Sequence, residues 1–147
     1  IKGRRAGLGF TGLADAIAML GLKYDSDKGL SKVEYIMRIM FKAQLDCQVD
    51  MAIERGSFLA WDKEKESSTD NPWYVWLCSN YNKDFYRMLA YGRRNISWAT
   101  VAPTVTVCIM AQCSSGIEPV FLPFYERKRK CMSPEDRVDY TDIKGVK

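Results

Sequence analysis

The sequence predicts an α/β fold that is rich in helices over its first two thirds. Two observations lead to this prediction: apolar residues recur at helical spacing over residues 13–53, and β-branched residues become frequent from Ile96 onward. Helices followed by a strand and a short turn are an order of elements typical of α/β proteins. We therefore expect one segment over residues 1–147, helical over 1–92, with a strand and loop region over 93–147.

Two helices are predicted before residue 57. The first is short, because Thr11 can cap its N-terminus and Gly21 lies near its end. The second is long and amphipathic and runs roughly from Gly29 to Arg55, where Gly56 stops it. We expect the first helix to pack as one arm of a hairpin.

The middle of the chain is expected to change from a loop to an aromatic helical region. Residues 63–71 are charged, rich in Ser and Thr, and end at Pro72, which predicts an exposed loop and the one credible linker. Trp73–Tyr91 is predicted to form one or two shorter helices ending at Gly92. Its aromatic side chains are interpreted as core rather than as a cofactor site, because such residues are usually buried.

After residue 95 the sequence predicts a strand. Ile96–Val101 favours a strand, and Pro103 breaks it. The next stretch, Thr104–Met110, has two interpretations. Its β-branched residues indicate a buried strand, whereas its Pro-Thr opening is typical of a helix N-terminus.

Composition and charge favour a soluble cytoplasmic protein that binds neither membranes nor nucleic acid. The net charge is +4, no run of about 18 apolar residues occurs, and no signal-peptide pattern is present. The basic run Arg127–Lys130 is short and isolated, which indicates a solvated turn. Five cysteines without Cys-x-x-Cys spacing, in a chain without histidine, indicate reduced, small buried apolar side chains rather than a zinc site.

Residues 7–12 match the spacing Gly-x-Gly-x-x-Gly of dinucleotide-binding loops. That motif requires a buried strand directly before it, and residues 1–6 contain three basic residues and one strongly apolar one. Close packing at the first helix is therefore the favoured role of these glycines.

Two segments together resemble the large chains of ribonucleotide reductases. The first reads Gly-Arg-Arg-Ala-Gly-Leu-Gly-Phe-Thr-Gly-Leu-Ala-Asp at residues 3–15 and continues in residues 20–26 and 54–58. The second reads Arg-Asn-Ile-Ser-Trp-Ala-Thr-Val-Ala-Pro-Thr at residues 94–104, followed by Cys-Ser-Ser-Gly-Ile-Glu-Pro-Val-Phe at 113–121. Their order and spacing fit over nearly the whole chain. The residue sequence of the second segment is most similar to that of the adenosylcobalamin-dependent class.

The resemblance implies a fold, a cofactor and partners. The parent fold would be a ten-stranded α/β barrel with a radical-bearing cysteine on a central loop, and this chain would supply a C-terminal part of it. Adenosylcobalamin would serve the parent enzyme, with none bound by this segment alone. The implied partners are the rest of the reductase chain or subunit and a nucleotide substrate.

The same resemblance implies a substrate phosphate site at residues 103–108. The family's Pro-Thr-Gly-Thr-x-Ser element binds phosphate through hydroxyls and backbone N–H groups at a helix start, where unsatisfied donors favour an anion. Val105 replaces the usual glycine and Cys108 the usual serine, which weakens the expected phosphate affinity. The implied site residues are Pro103, Thr104, Val105, Thr106 and Cys108.

Other family positions carry no catalytic assignment here. Glu118 is either a buried glutamate satisfied by backbone donors or a functional group, and both interpretations stay open. Arg94 and Asn95 are interpreted as structural. The radical cysteine of the family lies in an Asn-x-Cys-x-Glu context, which surrounds none of the five cysteines. The chain alone is therefore expected to be catalytically silent.

Two functional hypotheses follow. In the first, the chain is part of a deoxynucleotide-making oxidoreductase and contributes the phosphate loop. In the alternative, it is a non-catalytic nucleotide-binding or assembly module whose helices form an interface. Strand edges and apolar helix faces cut from a barrel would be exposed, so we expect partner binding or a homo-oligomer.

Overall fold

The computed structural model describes residues 2–68 and 70–120. The expectation of a helix-rich first two thirds is confirmed, and none of the helices in these residues is both long and apolar enough to cross a membrane. The predictions for Arg127–Lys130 and Cys131 lie outside the described residues. The helices are α1 (Leu13–Met19), α2 (Asp27–Arg55), α3 (Lys63–Glu66), α4 (Pro72–Asn80), α5 (Asn82–Tyr91) and α6 (Val105–Ala111).

Helix α2 begins and ends at residues suited to those positions. The side-chain oxygen of Ser26 accepts a hydrogen bond from the backbone N–H of Gly29 at 3.1 Å, which caps the N-terminus. Gly56 ends the helix with a φ of 76°, a conformation that residues with a Cβ rarely adopt. The predicted helix is thus confirmed and starts two residues earlier, at Asp27.

The core forms where α4 and α5 pack against the second half of α2. The aromatic region is part of it, as predicted: the rings of Trp73 and Trp98 meet edge to face with centroids 5.7 Å apart. The first half of α2 extends beyond this core and exposes Leu30, Tyr35 and Ile39. The buried core residues are Leu45, Val49, Tyr74, Leu77, Phe85, Met88, Leu89 and Trp98.

The prediction of a wholly exposed loop over residues 63–71 is wrong. Asp62 caps the short helix α3, because its carboxylate accepts from the backbone N–H groups of Glu64 at 3.0 Å and Lys65 at 3.2 Å. At the end of α3, Glu66 is only 5% exposed. A buried carboxylate needs a charged partner, and Arg93 provides one.

The predicted strand over residues 96–101 is extended but pairs only briefly. Residues 3–8 run parallel to it, the backbone N–H of Leu8 donates to the carbonyl of Trp98 at 2.8 Å, and one parallel bridge joins Leu8 to Ala99. The described residues therefore contain no regular strand, and the expected strand is wrong in this respect. A strand is stabilised by pairing along its length, and among the described residues these two segments share a single bridge.

The ambiguous stretch after Pro103 is helical. Helix α6 begins at Val105, and the backbone N–H of Cys108 donates to the carbonyl of Thr104 at 2.8 Å. The helix N-terminus interpretation is confirmed, and the buried-strand interpretation is wrong. The fixed φ of Pro103 and the polar Thr104 favour a helix start despite the β-branched residues that follow.

Candidate functional site

The loop after α6 folds back onto the start of α1. The backbone N–H of Gly12 donates to the carbonyl of Ser114 at 2.9 Å, and the N–H of Leu13 donates to the carbonyl of Gly116 at 3.4 Å. These bonds satisfy N–H groups that a helix N-terminus leaves without intrahelical partners. We call the resulting structure the α1–α6 junction; it comprises residues 11–15, 104–106 and 113–117.

Asp15 and Ser114 form a reciprocal pair within the junction. The backbone N–H of Ser114 donates to the Asp15 carboxylate at 2.6 Å, while the Ser114 hydroxyl accepts from the backbone N–H of Asp15 at 3.4 Å. Tyr24 reaches the same loop, and its hydroxyl donates to the carbonyl of Ile117. The loop is thus held by α1 and by the segment that follows it.

Thr104 connects this loop to the start of α6. Its hydroxyl oxygen accepts a hydrogen bond from the backbone N–H of Gly116 at 3.0 Å, so it does not cap α6 itself. Gly116 has a φ of 47°, and a Cβ at this position would lie 3.1 Å from the carbonyl oxygen of Ala102. Glycine therefore suits both the backbone conformation and the close approach of the loop to Ala102.

Ser115 contributes a hydroxyl that lacks a hydrogen-bond partner. Its Oγ atom is buried and, within the part of the chain that the structure describes, forms no hydrogen bond. Buried polar atoms are usually satisfied, so this hydroxyl, like the indole N–H groups of Trp61 and Trp98, retains unused hydrogen-bonding capacity within the described residues. Ser115 belongs to the family-like stretch at residues 113–121 but had no predicted role; the Ser-Ser-Gly turn is the sequence signal that marks it.

The sequence-predicted site residues lie together along the start of α6, in different environments. Thr104 is half-buried, whereas Pro103 and Thr106 are exposed. Val105 is the first helical residue, and a helical backbone requires no positive φ, so valine is compatible with this position. Cys108 lies one turn further on and is only 7% exposed.

The glycine run at residues 7–12 serves close packing, but Gly7 and Gly9 pack against Thr100 of the extended segment and not, as was expected, at the first helix. A Cβ on Gly9 would lie 2.9 Å from the carbonyl oxygen of Thr100, and one on Gly7 would lie 3.0 Å from its Cγ2 atom. Gly12, rather than the predicted Thr11, is the residue before α1 and has a φ of 81°. The loop after α6 already occupies the N–H groups that a pyrophosphate would need.

A buried ion pair positions the segment that leads to α6. The Arg93 guanidinium forms two bonds to the Glu66 carboxylate, Nε to Oε2 at 3.0 Å and Nη2 to Oε1 at 2.8 Å. Its Nη1 donates to the carbonyls of Asn95 at 3.0 Å and Ile96 at 2.5 Å. Burial, followed by the nearby Glu66 carboxylate, raises the pKa of Tyr74 to about 12.

Arg94 and Asn95 are structural, as interpreted. Arg94 Nη1 donates to the carbonyls of Arg55 at 2.7 Å and Gly56 at 2.9 Å, at the C-terminus of α2. Asn95 Nδ2 donates to the carbonyl of Arg4 at 2.6 Å. Glu118 is exposed, so the interpretation of a buried glutamate is wrong.

The cysteines are less uniform than the sequence analysis expected. Cys108 is buried, but Cys47 is exposed, which contradicts its interpretation as a buried apolar group. Cys113 is half-buried, and its sulfur lies 3.0 Å from the hydroxyl oxygen of Thr11. Thiols therefore have distinct environments within and outside the α1–α6 junction.

Comparison with known proteins defines the family of this segment. The family model described as ribonucleotide reductase, barrel domain, matches residues 2–139. The chain belongs to this family, as the resemblance implied. The family model is named for a barrel domain, while the barrel itself and the number of its strands remain predictions for this chain.

Individual relatives carry reductase names. The vitamin B12-dependent ribonucleoside-diphosphate reductases of Thermoplasma acidophilum and Mycobacterium tuberculosis are each 33% identical to this chain, over 118 and 125 residues, or 80% and 84% of the chain. The ribonucleoside-diphosphate reductase subunit alpha of Treponema pallidum is 24% identical over 88% of the chain. The chain spans 13% of the first relative's length and 15% of the lengths of the other two.

Proposed function

We propose that this chain is a segment of a cytoplasmic ribonucleoside reductase and contributes a binding site for the phosphates of its nucleotide substrate. The observation that supports this most directly is the α1–α6 junction, where the start of α6 meets a loop with a buried Ser115 hydroxyl that has no hydrogen-bond partner among the described residues. The relatives are named ribonucleoside-diphosphate reductases. A ribonucleoside diphosphate is therefore the proposed ligand.

The chemistry of this region suits a phosphate. The first N–H groups of a helix have no intrahelical acceptors and carry partial positive charge, so α6 offers backbone donors from Val105 onward. Thr106 is exposed and adds a hydroxyl on the first turn. The backbone N–H of Cys108 is not available to the phosphate, because it already donates to the carbonyl of Thr104.

The proposal is tested by calorimetric titration of the chain with ribonucleoside di- and triphosphates. We expect saturable binding, with the Thr104 hydroxyl donating a hydrogen bond to the phosphate. Thr104→Val should weaken this binding about tenfold and Thr104→Ser should preserve it, because a hydrogen bond to a charged group contributes roughly 1.5 to 3 kcal/mol. Thr100→Val is the matched control, since Thr100 lies outside the junction. Equal affinities of the Thr104→Val variant and the unaltered chain would contradict the proposal.

Reversal of the two departures from the family pattern gives a second test. We expect the Val105→Gly/Cys108→Ser variant to bind the diphosphate more tightly, because serine is the stronger hydrogen-bond donor and glycine leaves more room for the anion. No gain in affinity, together with no binding by the unaltered chain, would favour the assembly alternative.

The assembly alternative is favoured by the exposed first half of α2. Leu30, Tyr35 and Ile39 lie on this half with more than half of their surface exposed. Exposed apolar residues on one element are typical of an interface. We propose that they contact the rest of the reductase, or a second copy when the chain is isolated. Sedimentation showing a concentration-independent monomer would contradict this.

We propose that radical chemistry and adenosylcobalamin belong to the whole reductase rather than to this segment. In the whole enzyme that cofactor supplies the radical. None of the five cysteines lies in the Asn-x-Cys-x-Glu context of the family's radical cysteine. The isolated chain is expected to reduce no ribonucleotide, even with adenosylcobalamin and a dithiol added.

A further inference from the structure

Helix α6 ends in a turn with a well-defined hydrogen-bond pattern. Gln112 has the left-handed conformation, with φ 54° and ψ 45°, and its N–H donates to the carbonyl of Ile109 at 3.3 Å. The N–H of Cys113 donates to the carbonyl of Cys108 at 3.0 Å. This pair of bonds around a left-handed residue is the Schellman motif of helix C-termini.

The motif brings two cysteines together. The residues joined by its outer hydrogen bond commonly have side chains in contact, and in this chain they are Cys108 and Cys113. Backbone dimensions across that bond limit the separation of the two Cα atoms to about 7 Å. A disulfide joins Cα atoms roughly 4.4 to 6.8 Å apart, so the backbone is compatible with one.

The two thiols differ in their access to solvent. Cys108 is 7% exposed, whereas Cys113 is half-buried and lies beside the hydroxyl of Thr11, with 3.0 Å between sulfur and oxygen. A small reagent would therefore reach Cys113 first. A hydroxyl next to the sulfur can donate a hydrogen bond to the thiolate, which is the reactive form.

We propose that Cys108 and Cys113 are a redox-active dithiol that a small-molecule disulfide oxidises to an intramolecular disulfide. The Cys113 thiolate attacks one sulfur of the reagent, forms a mixed disulfide and releases one small thiolate. The Cys108 thiolate then attacks the Cys113 sulfur and releases the second small thiolate. The protons of both cysteines pass to the released thiolates, so two cysteines are oxidised and one reagent disulfide is reduced.

Oxidation changes the α1–α6 junction. The Cys113 sulfur would exchange its contact with the Thr11 hydroxyl for a covalent bond to α6. Because the same loop caps α1 through Ser114 and Gly116, the redox state of this pair acts on the contact between α1 and α6. The disulfide rests on the turn at Cys108 and Cys113 and forms whether or not the junction binds phosphate.

The experiment is incubation of the full chain with oxidised glutathione, followed by alkylation and peptide mass mapping. We expect a dominant Cys108–Cys113 disulfide, seen as the loss of both thiol hydrogens from the tryptic peptide of residues 95–127 that holds both cysteines, and the same disulfide in the control variants Cys47→Ser and Cys131→Ser. Cys108→Ser should instead accumulate the mixed disulfide on Cys113. In concentrated urea, where the turn is absent, this disulfide should form more slowly than in native buffer.

Two outcomes would overturn the proposal. One is glutathionylation of the exposed Cys47 without any Cys108–Cys113 cross-link, which would show an active reagent and an unreactive pair. The other is a cross-link that forms equally well in native buffer and in urea, which would show that sequence proximity rather than the folded turn brings the cysteines together.

Discussion

Removal of the Glu66 carboxylate should destabilise the chain more than any exposed charge does. Glu66 and Arg93 have 7% and 5% of their side-chain surfaces exposed, respectively, and their closest atoms are 2.8 Å apart. Glu66→Ala leaves the guanidinium buried without its counter-charge. Breaking a buried ion pair in this way costs about 3 to 5 kcal/mol of the free energy of unfolding.

The losses of stability caused by replacing Glu66 and Arg93 should be strongly non-additive. Arg93 also lies over the rings of Phe58, Trp73 and Trp98, at 5.1, 5.7 and 5.4 Å from their centroids. An apolar replacement can keep that packing while removing the charge. We therefore expect the double variant Glu66→Met/Arg93→Met to be more stable than either single variant, because neither charge is left alone.

Urea unfolding monitored by tryptophan fluorescence is the assay, since two tryptophans contact Arg93. The matched control is Glu34→Ala, which breaks an exposed pair with Arg38 on α2 and should cost less than about 1 kcal/mol. A loss below about 1 kcal/mol for Glu66→Ala, or additive effects in the double variant, would refute the reasoning.

Three further predictions concern α2, the glycine run and Tyr74. Ser26→Ala should lower the free energy of unfolding by about 1 kcal/mol through loss of the α2 cap, and an unchanged urea midpoint would contradict this. Gly9→Ala should lower it by roughly 1 to 3 kcal/mol because its Cβ would meet the Thr100 carbonyl, so an unchanged melting temperature would count against it. Tyr74 has a pKa raised from 10.0 to about 12, so the stability linked to its protonated form is complete below pH 10 and is lost towards pH 12. The Tyr74→Phe variant should lose less stability between pH 10 and pH 12 than the unaltered chain. Identical pH profiles of the two proteins would contradict a raised pKa of Tyr74.

Local sequence signals predicted the elements that depend on local interactions. The periodic apolar residues of α2 and the glycines at positions 56 and 92 defined helices and their ends. The stretch after Pro103 could not be decided by propensity, because β-branched residues and a helix-start signal conflicted there. Its helical state is stabilised locally by the turn ending at Cys113.

Contacts between distant residues were not visible in the pattern. Glu66 lies in a run of alternating charges that is typical of an exposed segment, and its partner Arg93 is 27 residues away. The bond between Asp15 and Ser114 spans 99 residues. The phosphate-site prediction depended on family resemblance, whereas the loop that meets α6 became evident only from the folded chain.

Hydrogen exchange of backbone amides, followed by mass spectrometry with and without a ribonucleoside diphosphate, tests the central claim most directly. Binding at the α1–α6 junction predicts slower exchange in peptides covering residues 104–107 and 113–117. Protection confined to residues 7–12 would instead place the anion at the glycine run, and unchanged exchange throughout at saturating nucleotide would contradict a phosphate site in this chain.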